Sequence, residues 1–563
     1  ILRRKYIHMK NTLLKSTLAL SLLASSSIVL PEVTFASAGG VVQETASEKK
    51  LQLSLQSRFK SGAAFDEGGT EIVQYDPKSQ NMYSINGDEG SLDVIHLGGV
   101  GQSKEVELTK RIKLSDYGIE SSDVTSVAIH PNGDYIAVAA PHETKTNDGY
   151  LVLLTTDGEY IKHFSVGPLP DMVTFSPDGK HILVANEGEP NDDYTINPEG
   201  SISIVKANKS ANKITQKDIT TPQFTKDLMT DDIRGVGPDA DEHYLNLEPE
   251  YITVDSKGKY AYVTLQESNA IAKVKIASNK IEEITSLGFK DYSKAGNEID
   301  ASDKDDETTL KKQPVLSMYM PDAIASFDMN GETYLFTANE GDAQDYDGYS
   351  EEERVKDIKD DIKLDASHYE GYTQDELDQL IEDGLFKKSN LGRLKTTTSH
   401  PFINEHGEHE AIVGYGGRSF SVWNGNTMEQ VFDSGNDFER ITLEQIPEYF
   451  NSNAESATEF ELDARSDDKG PEPESIEFGV VDGVPYVFIG LERTGGIMVY
   501  NLTNPEQPEF ETYFRDDSNT DVSPEGLTFV SAEESPTGSA MLLAAHELSG
   551  TVAVYNLERT DVE

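Results

Sequence analysis

The sequence has no cysteine and one tryptophan, and its 100 aspartates and glutamates outnumber its 48 lysines and arginines. Without cysteine there is no disulfide framework, no thiol nucleophile, no thiolate metal site and no lipid attachment of the lipoprotein type. Long apolar runs are also scarce. The one that stands out follows Met9, Lys10 and Lys15, covers Ser16 to Leu30 and leads to the small residues Ala36-Ser37-Ala38. It has the pattern of a secretory signal peptide, too short and wrongly flanked for a membrane anchor, and residues 1–8 are expected to lie upstream of the true start. The shortage of basic residues gives a formal net charge of -52; loss of residues 1–38, with five bases and one acid, would leave about -56. Such a chain repels phosphate backbones and anionic lipid heads, so nucleic-acid binding and a membrane span are not expected, and cations are its natural ligands. A Gly-x-Ser-x-Gly elbow, a His-Glu-x-x-His pair and a Walker loop are all missing.

What the sequence does contain is a repeated acidic doublet. Pro170-Asp171, Pro249-Glu250, Pro321-Asp322, Pro473-Glu474 and Pro524-Glu525 each open an alternating apolar segment. A second apolar segment follows each time and ends in Glu187, Glu267, Glu340, Glu492 or Glu547, at spacings of 16, 17, 18, 18 and 22 residues. One structural unit is therefore used repeatedly, with its acids in equivalent places. In the clearest copy, Met172 to Phe175 has strand periodicity, Ser176-Pro177-Asp178-Gly179 supplies a turn, His181 to Asn186 is a second strand and Ser201 to Val205 a third.

Such units predict an all-β fold, a β-propeller of four-stranded blades. Two more units precede the doublets, at Glu71 to Leu97 and Val124 to Thr155, and another spans Arg393 to Asp433, so the repeat count is eight. Seven is the alternative, because the unit at Asp322 shows two good strands before an acidic, helix-prone insertion. The expected organisation is a signal segment over 1–38 and a single propeller over 39–563, with the insertion at 347–390. Within the insertion, Thr373-Gln374-Asp375-Glu376 forms a capping box and Gly384 a stop. The strand Leu51 to Leu55 belongs to no blade of its own and is expected to close the ring by pairing with the last unit near Val552 to Tyr555, leaving only short, protected edges.

In a blade, the residue before the first strand and the residue after the second tend to lie on one face, near the central channel. Asp171, Glu187, Glu250, Glu267, Asp322, Glu340, Glu474, Glu492, Glu525 and Glu547 are therefore candidate ligands around one opening. Crowded carboxylates raise one another's pKa unless a cation compensates them, and calcium, which takes oxygen ligands in flexible numbers, is the expected ion. The competing expectation is that each acid caps backbone N–H groups or pairs with an arginine.

Several of these segments are long enough to suggest a family. Ala185 to Tyr194, Tyr319 to Ile324, Thr337 to Ala343, Gly416 to Ser421, Arg465 to Glu474 and Ser523 to Leu527 resemble the choice-of-anchor I family. The resemblance covers nearly all of the chain after the signal segment. It implies a cell-surface or exported protein, similar to echinoderm cell-surface glycoproteins and to a region of some large bacterial alkaline phosphatases. Departures are the imidazole in Ala544-Ala545-His546-Glu547 where Ala-Asn-Glu fits the pattern, Ser475 after Glu474 where glycine is more usual, and the loop Glu405 to Glu410.

Weaker cation candidates are Asp342, Asp345, Asp347 and Glu351, which resemble half an EF-hand, and Asp300, Asp303, Asp305 and Asp306. His406 and His409 with Glu405 and Glu410 offer zinc donors. Two functions of different class follow. The first is a secreted, calcium-stabilised propeller that binds a surface glycan or protein. The second is a metal-dependent phosphomonoesterase, with Glu474 among the acids and Arg465, Arg418, Arg493 and Lys469 taking the phosphoryl charge; in the competing reading those cations salt-bridge the carboxylates.

Overall fold

The computed structural model describes residues 41–43, 50–121 and 123–561. The signal segment expected at 1–38 lies outside the described residues. Among them are seven four-stranded antiparallel sheets, two of them extended by a fifth strand. In chain order the blades are 73–113, 126–168, 170–220, 249–286, 324–433, 473–516 and 524–559, the last completed by residues 51–60. The innermost strands neighbour one another in sequence order, and that of blade 7 returns to that of blade 1.

Seven blades, rather than the repeat count of eight, follow from how blade 5 is built. Ile324–Met329 and Glu332–Asn339 form its inner half, and Ser419–Asn424 and Gln430–Asp433 its outer half. The units beginning at Asp322 and Arg393 are thus parts of one sheet, interrupted between Asn339 and Ser419. That interruption is wider than 347–390. Lys395–Thr397 and Ile412–Gly414, read as blade strands, instead pair with Glu352–Arg354 and Val315–Met318. The neck of the inserted stretch is tight: a Cβ on Gly341 would stand 2.3 Å from the Gly416 nitrogen, and both glycines have positive φ. Inside, Gln374–Asp383 is helical, with the Thr373/Glu376 capping box formed and Gly384 in the left-handed region.

Ring closure pairs Leu51–Lys60 with Thr551–Arg559. Leu55 faces Tyr555, and Ser57, Arg58 and Phe59 face Val554, Ala553 and Val552. Val41–Gln43 adds an outer strand to blade 6. The second strand of each blade is buried almost throughout, as in Ile182–Asn186 and Ala540–His546. Both of its faces pack on neighbouring blades, so these strands read as continuous apolar runs rather than clean alternation. Among the described residues no helix is long and apolar enough to cross a membrane.

Candidate functional site

A recurring backbone device positions the acids. In blades 3, 5, 6 and 7 the residue before the proline (Leu169, Met320, Glu472 and Ser523) has φ between 45° and 69°. This left-handed conformation is costly for a residue with a side chain. It turns the carbonyl back toward the end of the second strand, where it accepts from Glu187 N–H at 2.8 Å, Gly341 N–H at 3.0 Å, Glu492 N–H at 2.7 Å and Glu547 N–H at 2.9 Å. The proline needs no ladder partner because it begins an innermost, edge strand. In blades 3, 4, 6 and 7 the pairing register then slips just after the proline, where the acid stands. Such a bulge re-aims a side chain out of the sheet. In blades 3, 6 and 7 the doublet and the second acid are therefore one hydrogen-bonded unit, and in blade 5 the donor is Gly341, one residue past Glu340.

Nine of the ten predicted acids gather in groups whose ligand oxygens lie within 4.8 Å of one another: Asp171, Glu187 and Glu250; Asp322, Glu340 and Glu474; Glu340, Glu472 and Glu492; Glu492, Glu525 and Glu547. Each group draws on two neighbouring blades. The tenth, Glu267, is buried beside them. Its backbone carbonyl accepts from Arg234, and its Oε2 has no hydrogen-bond partner. Burial first, and neighbouring carboxylates second, push Asp171 up to about 7, Glu267 to about 8, and Glu340 and Glu547 to about 7. Glu187, Glu250, Glu474 and Glu525 are raised well above the carboxylate range for the same reasons. Burial raises the Asp322 carboxyl as well, and its contact with Glu474 works against that rise.

The ring has two unlike arcs. On one, basic residues compensate. Lys469 bonds Glu340 and stands 3.4 Å from Glu472, Arg493 pairs with Glu492 at 2.8 Å, and Arg465 bonds Glu472 and stands 2.9 Å from Asp468. Gln266 also donates to Glu340 at 3.0 Å. On the other, Asp171, Glu187, Glu250, Glu525 and Glu547 make no ion pair with lysine or arginine among the described contacts. Arg418 stands apart from both. It is buried, and donates to the carbonyls of Asp300, Ser466 and Asp468 and to Glu439 at 2.7–2.9 Å. Of the five residues named for phosphoryl chemistry, Glu474, Arg465, Lys469 and Arg493 belong to the ring, while Arg418 ties together segments that precede and follow blade 5.

In the weaker cation loops several acids are engaged by protein groups. Glu351 is fully buried against Arg234 and Thr397, which removes it from the half EF-hand. Asp303 pairs with Lys304 and Arg393, and Asp300 accepts from Ser302 and Thr309 N–H. The asparagine of the Ala-Asn-Glu pattern is a cross-strand staple rather than a ligand: Asn186 donates to Ser201 and Ser203, Asn339 to Ser419 and Ser421. His546, in that place, is buried on blade 7.

Sequence reasoning missed four acids of the ring and its rim. Glu71 opens blade 1 after Thr70 instead of proline and is raised well above the carboxylate range by burial, with Asp123 and Glu547 adding to it. A Cβ on Gly87, which stands where the second acid would be, would meet Glu71 Oε1 at 2.5 Å. Glu472 is the hub of the compensated arc. Glu248, just before Pro249, accepts from Gln344 at 2.7 Å, and Glu189 pairs with Lys145 at 2.7 Å. The signal for Glu71 was present, since Thr70-Glu71 occupies the doublet's place ahead of the first blade.

Comparison with known sequences completes the picture. The profile of the choice-of-anchor I domain matches residues 71–505. The chain belongs to the choice-of-anchor I family. This choice-of-anchor I protein is 31% identical to Gigasin-3a of Magallana gigas over 188 residues, 30% of the chain and 66% of that protein. It is 27% identical to the mesenchyme-specific cell surface glycoprotein of Strongylocentrotus purpuratus over 335 residues, 55% of the chain and 40% of that protein. The chain thus spans less than two thirds of either relative. Among solved structures it is similar to the WD40 domain of Toxoplasma gondii coronin, at a TM-score of 0.45 and 8% identity over 93% of this chain and 89% of that one. It is also similar to the β-propeller domain of Myceliophteria thermophila Cps50 (Swd1), at a TM-score of 0.41 and 7% identity over 90% of this chain and 99% of that one.

Proposed function

We propose that this choice-of-anchor I protein is an extracellular propeller that binds calcium among Asp171, Glu187 and Glu250 and presents the cation-closed face to a surface glycan or protein. One observation carries the reading: three buried carboxylates from blades 3 and 4 bring their oxygens within 4.8 Å of one another, with no basic partner among the described ion pairs. Twice a calcium–oxygen bond is about 4.6–5.2 Å, so one ion reaches all three. An all-oxygen, flexible donor set favours calcium over zinc or copper. An extracellular site supplies that ion, and the Strongylocentrotus purpuratus relative is by name a cell surface glycoprotein. In the chelator-stripped protein, calcium is expected to raise the melting temperature, on the order of 3 kcal/mol of stability at a hundredfold excess over its dissociation constant. A melting curve that responds to neither chelator nor calcium removes the cation from the proposal.

The second reading is phosphomonoester hydrolysis. Lys469 and Arg493 beside Glu340 and Glu492 favour it, since a cation pair next to metal-binding carboxylates could hold a phosphoryl group. It ranks second because both cations already neutralise carboxylates, and Arg418 takes no part in the ring.

A further inference from the structure

The insertion of blade 5 brings together a second set of donors, chemically unlike the acid ring because it contains an imidazole. Asp365, His368 and Glu410 each offer one ligand atom, and the three atoms lie within 4.8 Å of one another. Asp365 caps the 3-10 turn Ala366–His368, and residues three apart on such a turn stand one above the other. Glu410 comes from a separate segment held alongside: Asp365 N–H donates to the Glu410 carbonyl at 2.9 Å, and Lys363 N–H to the His409 carbonyl at 2.8 Å.

His368 and Glu410 form a long ion pair as they stand, at a separation that a shared metal ion also spans. His368 Nε2 stands 3.5 Å from Glu410 Oε2. A good N–H···O hydrogen bond is shorter, about 2.7–3.2 Å, whereas two ligands of a tetrahedral ion with bonds of about 2.0–2.1 Å stand roughly 3.4 Å apart. The surroundings orient each donor as an outer shell does. Asp365 Oδ1 accepts from Ser367 N–H at 2.8 Å, Asn404 Nδ2 donates to Glu410 Oε1 at 3.3 Å, and the His368 ring packs on Phe402 at 4.8 Å. One oxygen of each carboxylate is thereby engaged, and the remaining Glu410 Oε2 faces His368 Nε2. No lysine or arginine ion-pairs with Asp365 or Glu410 among the described residues. Of the residues named from sequence only Glu410 joins this cluster: His406 is exposed beside Glu405, and His409 Nδ1 faces His400 Nε2 at 2.8 Å.

We propose that Asp365, His368 and Glu410 form a zinc site, completed by water, that pins the 365–368 turn to the 404–410 loop. Two carboxylates and a neutral imidazole balance the dipositive ion. The mixed N/O set selects zinc over calcium, which prefers oxygen alone.

The test uses the full chain, stripped of metal and then held in millimolar calcium so that the oxygen-only ring is filled. Zinc alone is titrated by calorimetry, and cobalt is used as a spectroscopic substitute. One zinc per chain and the intense visible absorption of tetrahedral cobalt are expected. His368→Ala and Glu410→Gln should each remove the tetrahedral band and weaken zinc at least tenfold, Asn404→Ala should weaken it about tenfold, and His406→Ala should change neither. Near-UV circular dichroism checks that each variant is folded. A wild-type protein that gives only the weak octahedral cobalt spectrum overturns the proposal without any variant. So does zinc binding that survives His368→Ala undiminished.

Discussion

Glu187 N–H donates to the Leu169 carbonyl at 2.8 Å, and through that bond the left-handed Leu169, Pro170, Asp171 and Glu187 form one rigid corner. The corner recurs in blades 5, 6 and 7, so the ring is crowded because a backbone device repeats, not because acids are common in the sequence. Crowding built into the backbone persists when no cation is bound, and its consequences are measurable.

Asp171→Asn and Glu250→Gln are each expected to weaken calcium at least tenfold, about 1.4 kcal/mol, while raising the melting temperature of the calcium-free protein, because each removes one member of a repelling set. Calorimetry and thermal melts check the two effects. Substitutions that lower the apo melting temperature and leave calcium affinity intact would make these acids structural.

Stability of the calcium-free protein should fall as pH rises. Asp171, Glu340 and Glu547 are pushed up to about 7 and Glu267 to about 8. The folded protein therefore binds more protons than the unfolded one between roughly pH 4 and 8. With more protons on the folded side, stability is full below the unfolded values and is lost as pH rises through the folded ones. Melts from pH 4.5 to 8.5 should show the decline without calcium and a flatter profile with it. A calcium-free protein that gains stability over this range contradicts the crowding.

Glu472→Ala should cost about 3–5 kcal/mol, since it leaves Arg465, Lys469 and Arg493 without the buried carboxylate they share. Urea unfolding measures it. A loss below 1 kcal/mol would mean that the remaining acids absorb those charges.

Ring closure rests partly on Arg58, which grips Asp521 through two hydrogen bonds of 2.7 and 2.6 Å from the strand that completes blade 7. Arg58→Ala is expected to cost about 3 kcal/mol and to speed amide exchange in 51–60 and 551–559 before other blades open. Uniform exchange across all blades would show that closure is not the weak point.

The calcium-loaded protein is expected to leave p-nitrophenyl phosphate intact. Hydrolysis abolished by both Glu474→Gln and Arg465→Ala, with the fold retained, would replace the binding reading with the catalytic one.

Strand periodicity, turn residues and the Pro-acid doublets were legible because they are local. They gave the propeller, the closing strand and the capped helix Gln374–Asp383. Blade number was legible only as seven or eight: the two halves of blade 5 are separated by a segment whose short strands resemble blade strands, and only pairing partners reveal which sheet a strand joins. Glu71 escaped because threonine replaces the proline that marks the other doublets.

The sequence by itself determined that acids recur at fixed places in a repeated unit, and so that they would lie at equivalent places on the blades that carry them. Tertiary structure alone decided which of them are neutralised. Lys469 reaches Glu340 from a loop 129 residues further along the chain, and no spacing rule predicts that. It also decided that Glu410 meets His368 rather than the neighbouring His406. Ligand geometry and charge compensation depend on distances of a few ångströms between segments far apart in the chain, and those distances exist only once the ring has closed.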